Sequence, residues 1–251
     1  MLYENYLPAA FGHTPTPEDP RRGAAELVLY NPTPDPCQAT MTVYYTDRPP
    51  RTLPPIAVKP ETNELVVMPG LAPDAFTDCG FWGAKIVSTT PLMLNLIDGV
   101  RIVVDKPRFR GGCTNFHGTQ LHREWHIPYC LWLEWNLALK GDLAKAPWPF
   151  NELEHLHILN PNPRPAEVDI NFRYRRLEHT TMHVTIPAER VWQWENKDKV
   201  PFNQSYSLKI VSSEPVSAAE VRYIYGLRGL DEWGMTVHCA MYGVPGPFPE
   251  T

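Results

Sequence analysis

Short runs in which apolar and polar residues alternate recur along the chain, and they predict strands. Met41-Thr42-Val43-Tyr44-Tyr45, Ala57-Val58, Glu64-Leu65-Val66-Val67-Met68, Ala84-Lys85-Ile86-Val87-Ser88 and Leu92-Met93-Leu94-Asn95-Leu96 are rich in β-branched or aromatic residues and bounded by Pro, Gly, Asp or Asn. A period of two sends alternate side chains to opposite faces, so each run has one face for a core. Most of the 28 prolines fall between the runs, where a fixed φ and a missing N–H do not interrupt a ladder. The stretch 137–146 is the piece with a helical pattern, and it carries Gly141. Many short strands separated by turns predict an all-β chain of antiparallel β-sandwiches.

The pattern occurs twice. Asn31-Pro32-Thr33-Pro34 opens a run through Ala39, Met41, Val43 and Tyr45, and Asn160-Pro161-Asn162-Pro163 opens another through Val168, Ile170, Phe172 and Tyr174. Lys85-Ile86-Val87-Ser88 returns as Lys209-Ile210-Val211-Ser212. Tyr3-Glu4-Asn5-Tyr6-Leu7 aligns with Leu133-Glu134-Trp135-Asn136-Leu137. A tandem duplication is the expectation, with a first repeat over 1–108, a Gly/His-rich connector over 109–124 and a second repeat over 125–251.

Charge narrows the partners. The 251 residues carry a net charge of only −5, with no block of like charges, so neither nucleic acid nor an anionic membrane is an expected partner. No apolar run approaches the roughly 18 residues of a membrane span. The N-terminus lacks the basic-then-apolar layout of a signal peptide, and a cytoplasmic protein is expected. Five cysteines without CxxC spacing fit free thiols in a reducing compartment.

Candidate chemistry concentrates between the repeats. His117, His122 and His126 fall within ten residues. Extended backbone over 121–128 would put His122, Glu124 and His126 on one strand face, with His117 within reach: a half-shell for zinc or another divalent first-row metal. A solvated polar strand face explains the same residues. His155 and His157 form a second alternating pair, with Glu26 and Val28 at the matching positions of the first repeat. Trp125, Trp132, Trp135 and Trp148 crowd the start of the second repeat, and Trp192 and Trp194 share a strand face. Such rings bind the C–H faces of sugars while carboxylates and amides take the hydroxyls; packing is the alternative use. Trp132, Glu134, Trp135 and Asn136 make the best local set, and Glu134 is the candidate general base if a metal site works on the ligand.

Tyr3-Glu4-Asn5-Tyr6-Leu7-Pro8, Leu29-Tyr30-Asn31, Val43-Tyr44-Tyr45-Thr46-Asp47-Arg48-Pro49-Pro50 and Ile86-Val87-Ser88-Thr89-Thr90-Pro91 together resemble, in order and spacing, the sensory rhodopsin transducer family. The resemblance covers most of the first repeat and, more loosely, about 130–222. It implies small oligomeric β-sandwiches that bind small molecules such as sugars, with Tyr45, Asp47 and Arg222 as ligand contacts. For a duplicated chain it also implies a homodimer. The chain departs from the family where Arg173-Tyr174-Arg175-Arg176 replaces Tyr44-Tyr45-Thr46-Asp47. The expected function is binding of a small polar, polyhydroxylated metabolite; the alternative is a metal-dependent enzyme acting on one.

Overall fold

The computed structural model describes residues 1–12, 21–76, 80–102, 113–132, 152–174, 178–195, 200, 204–227, 233–242 and 244–245. The alternating runs form strands. In the first half these are β1 (Tyr3–Gly12), β2 (Arg21–Tyr30), β3 (Cys37–Tyr45), β4 (Arg51–Thr52), β5 (Ile56–Val58), β6 (Asn63–Val67), β7 (Gly80–Ser88), β8 (Met93–Ile102) and β9 (Cys113–His117). A one-turn helix, Met68–Leu71, and a 3-10 turn, Pro73–Phe76, lie between β6 and β7. The second half has β10 (His122–Trp132), β11 (Glu152–Asn160), β12 (Ala166–Tyr174), β13 (Glu178–Ile186), β14 (Arg190–Glu195), β15 (Gln204–Leu227), β16 (Trp233–Tyr242) and β17 (Val244–Pro245). The stretch expected as a helix, 137–146, lies outside the described residues.

All pairings between these strands are antiparallel, so the chain is all-β. Layer I has the order β1-β7-β3, with β4 and β5 on β3. Layer II has the order β6-β2-β8-β9. In the second half β15 is long enough to serve both layers. Its first part pairs with β10 and β12, and β13 adds to β12, giving layer III. Its second part pairs with β11 and β16, and β14 adds to β11, giving layer IV.

The two halves correspond strand for strand and residue for residue in register. Tyr6 lies opposite Lys85 and Thr42 opposite Lys85; His126 lies opposite Lys209 and Asn171 opposite Lys209. Leu27 faces Leu96 across β2 and β8, as Leu156 faces Glu220 across β11 and β15. The strand in the place of β1 is β10. Both are bulged at the same step, between Leu7 and Ala10 and between Ile127 and Cys130, so Glu4-Asn5-Tyr6-Leu7-Pro8 corresponds to Glu124-Trp125-His126-Ile127-Pro128. Residues 133–137, aligned with 3–7 from the sequence, lie outside the described residues. Residues expected in the connector are built into the layers: 113–117 form β9 on β8, and 122–124 begin β10.

The Asn-Pro-x-Pro signature has a physical explanation. Asn31 and Asn160 are both fully buried, and each staples the turn after its strand. Asn31 Nδ2 donates to the carbonyls of Asp35 (2.7 Å) and Lys59 (3.3 Å), and its Oδ1 accepts from the N–H of Thr33. Asn160 Nδ2 donates to those of Arg164, Ile186 and Pro187, and its Oδ1 accepts from the N–H of Asn162. A buried amide is tolerable only when satisfied, and both are.

Each half buries its own core: Leu7, Leu27, Met41, Trp82 and Leu96 in the first, Trp125, Ile158, Ile170, Phe172 and Ile210 in the second. The halves meet through the outer face of layer I and the outer face of layer IV. Tyr6 and Tyr44 pack with Leu159 and Val191, and the Phe81 ring lies 5.2 Å from His155 and 4.6 Å from His157. Burial, and then the charge of Glu189, pushes the Tyr44 hydroxyl up to about 12.

Candidate functional site

The expected metal half-shell is only partly assembled. His126 Nε2 lies 2.7 Å from Glu124 Oε1, and Lys209 Nζ lies 3.6 Å from the same oxygen. The hydrogen bond from His126, reinforced by Lys209, holds the Glu124 carboxyl below the usual carboxylate range. His122 does not join them in a group placed to hold a metal, and the register with β15 shifts between His122 and Glu124. Its ring instead meets Trp125 edge-on at 5.1 Å. His117 lies on β9, in the other half of the fold from Glu124 and His126. Among the described residues no group of three or more His, Cys, Asp or Glu side chains is placed to hold a metal. The corresponding site of the first half carries the same kind of cluster: Lys85 Nζ is 2.6 Å from Glu4 Oε1, and Tyr6 Oη donates to Glu4 Oε2 at 2.6 Å. A Glu–Lys pair on the outer strand face is thus common to both halves, and in the second the ammonium already occupies one side of the carboxylate.

The other expected contacts fall as follows. Glu134, Trp135 and Asn136 lie outside the described residues; Trp132 ends β10 and Arg222 lies on β15 beside Glu154 and Cys239. Tyr45 is buried in the first core, and its hydroxyl donates to Asp74 at 2.6 Å. Asp47 is exposed and paired with its neighbour Arg48, which lowers its pKa. Tyr45, on an inward position of β3, is thus a core residue anchored by a polar tip.

A different site emerges when the cores are compared position by position. Where the first core has Leu96, the second has Glu220, and both are fully buried. Where the first has Trp82, the second has Tyr206, whose hydroxyl donates to Glu220 Oε1 at 3.3 Å. Val43 gives way to Phe172 and Val66 to Trp194. Phe172 lies 5.5 Å from the Trp194 ring, edge-on, and 6.3 Å from Tyr206. Trp194, Leu156 and Glu220 form one row across β14, β11 and β15, while half-buried Trp192 and Trp194 pack on this core from the edge strand β14. An apolar arrangement in one half is therefore a carboxylate, a phenol and two large rings in the other.

Burying a carboxyl group costs free energy, either as a desolvated charge or as a group pushed towards its neutral form. The first half has a leucine at the corresponding place. The sequence signal was present: Val216, Ala218 and Val221 make an apolar run interrupted by Glu220, in register with Leu96.

No protein-family model matches the chain, and no curated protein matches it. Among solved structures, the Thermotoga maritima protein described as "Thermotoga maritima 1070" aligns with 50% of this chain and 95% of its own, at 18% identity and a TM-score of 0.39. The Anabaena sensory rhodopsin transducer aligns over 39% of this chain and 86% of its own, at 20% identity and a TM-score of 0.30.

Proposed function

We propose that the chain is a tandem duplication of one β-sandwich unit, and that its second copy binds a small polyhydroxylated metabolite between Trp194, Phe172, Tyr206 and Glu220. The observation that carries this reading is the fully buried carboxylate of Glu220 in the place of Leu96. Titratable groups held in a desolvated setting cluster at functional sites. A carboxylate accepts from sugar or polyol hydroxyls, a phenol both donates and accepts, and the indole and phenyl rings receive the C–H face of the same molecule. The first copy, with Leu96, Trp82, Val43 and Val66, has none of this polarity, so the reading gives one such site per chain.

Calorimetric titration with a panel of monosaccharides, sugar acids and polyols tests it. A member of the panel is expected to bind at one site per chain, and Glu220→Gln is expected to weaken it by about tenfold or more, the usual worth of a hydrogen bond to a charged group. Binding unaltered in Glu220→Gln, or no binding across the panel, would remove the proposal.

A further inference from the structure

The seam between the halves encloses two imidazoles. His155 and His157 alternate on β11, on the face of layer IV that layer I covers; His155 is 6% exposed and His157 fully buried. The Phe81 ring of β7 lies against both, and the two imidazole centroids are 5.9 Å apart. The corresponding residues of β2, Glu26 and Val28, are only half-buried. From β14, the Gln193 amide lies 2.8 Å from His155 Nδ1. In register, Gln193 stands opposite His157 and Glu195 opposite His155. From β15, buried Ala219 and Val221 stand opposite His157 and His155. Further along the seam, Glu4 is bonded to Lys85 and Tyr6, and the charges of Glu189 and Arg190 act across it on Tyr44 and Asp47.

Imidazole is the side chain that ordinarily changes charge between pH 8 and 5. The carboxylates of the first half that flank the seam keep theirs over that range: Lys85 and then Tyr6 hold Glu4 below the usual carboxylate values, and Arg48 does the same for Asp47. Charging the fully buried His157 ring forfeits its hydration, and charging His155 beside it adds repulsion. The Phe81 ring, tilted at 47° to His155 and 53° to His157, offers a cation–π contact to either. Such a contact is worth less than the hydration a buried ion loses.

We propose that His155 and His157 make the seam an acid-sensitive joint, closed while both rings are neutral and opened by their protonation, with each half keeping its own core. Rings that take a proton more readily in the open form stabilise the closed form fully above the ordinary imidazole value and progressively less below it. This does not depend on the ligand site, whose residues face the second core.

The test is hydroxyl-radical footprinting of the intact chain at about pH 7.5 and about pH 5, either side of the ordinary imidazole value. Oxidation of Phe81 and Tyr44, buried at the seam, is expected to rise severalfold at the lower pH, while Trp82 and Phe172, buried in the two cores, stay protected. In His155→Gln/His157→Leu, which keeps an amide beside Gln193 and fills the place of the second ring, the rise is expected to be lost. Should that variant not fold, the parent's own rings decide: the His157 ring, followed by NMR, is expected to take its proton over the same pH range in which Phe81 becomes labelled. Equal protection of Phe81 at both pH values, a rise that persists in the folded double variant, or a His157 ring that titrates while Phe81 stays protected would overturn the proposal. So would labelling of Trp82 and Phe172 together with Phe81, which would mean that acid unfolds the whole chain.

Discussion

Individual side chains decide where this fold is rigid and where it is charged. Asn31 and Asn160 each satisfy several backbone groups from a buried position, so replacing either by Ala leaves those groups orphaned. Thermal unfolding of Asn160→Ala is expected to show a loss of about 2–4 kcal/mol, at about 1 kcal/mol per bond plus desolvation. His183, on the outer face of layer III, lies 2.8 Å from Asp169 Oδ1 and 3.0 Å from Glu167 Oε2. The Asp169 bond, then the Glu167 bond, raise its pKa above the ordinary 6.5. A raised folded-state pKa means that its contribution to stability is complete below the unfolded value and vanishes as pH rises through the folded one. An NMR titration of its ring should have a midpoint above 6.5, falling towards it in Asp169→Asn; an unmoved midpoint would show that the carboxylate does not act on the ring. At this scale the sequence displayed the twin Asn-Pro-x-Pro turns, because local chain geometry fixes them. It hid the role of Glu220, because only pairing across the sheet shows which leucine that carboxylate replaces.

At the scale of elements, period-two alternation was enough to place β3, β7, β12 and the first part of β15, since half-buried strands write their two faces directly into the chain. Alternation along β10 did not bring His122 to the Glu124–His126 pair: the register with β15 shifts there, and the His122 ring meets Trp125. The match of β10 to β1 was not read from the sequence, where 133–137 was aligned with 3–7; it rests on the bulge at Pro128, a feature of pairing. Close approach at the seam leaves one strand position with no room. A Cβ on Gly83 would lie 2.9 Å from the Leu7 carbonyl oxygen and 2.9 Å from Val191 Cγ2. The carbonyl is backbone and cannot swing away, so Gly83→Ala is expected to lower the unfolding midpoint by several degrees and to raise amide exchange in β1 and β14 together. Exchange unchanged in β14 would show that the strain stays within the first half.

At the scale of the whole molecule, two all-β halves share a strand plan, but their interiors are lined differently. The corresponding turns of the two halves were readable from the paired landmarks, whereas the joining of layer I to layer IV was not, since either face of a strand pair is apolar enough to be covered. Described residues include no helix long and apolar enough to cross a membrane. The central claim is that Glu220 and Tyr206 are kept for a ligand and not for the core. Its most direct test is the unfolding midpoint of the double variant Glu220→Leu/Tyr206→Phe without ligand, which removes the buried carboxyl group and the phenol that donates to it together. Replacing both partners of a buried hydrogen bond by apolar groups of similar shape is often nearly neutral or stabilising, so a midpoint equal to the parent's or higher by a few degrees is expected. A midpoint several degrees below the parent's would contradict the account, and would make the pair part of what holds the second sandwich together.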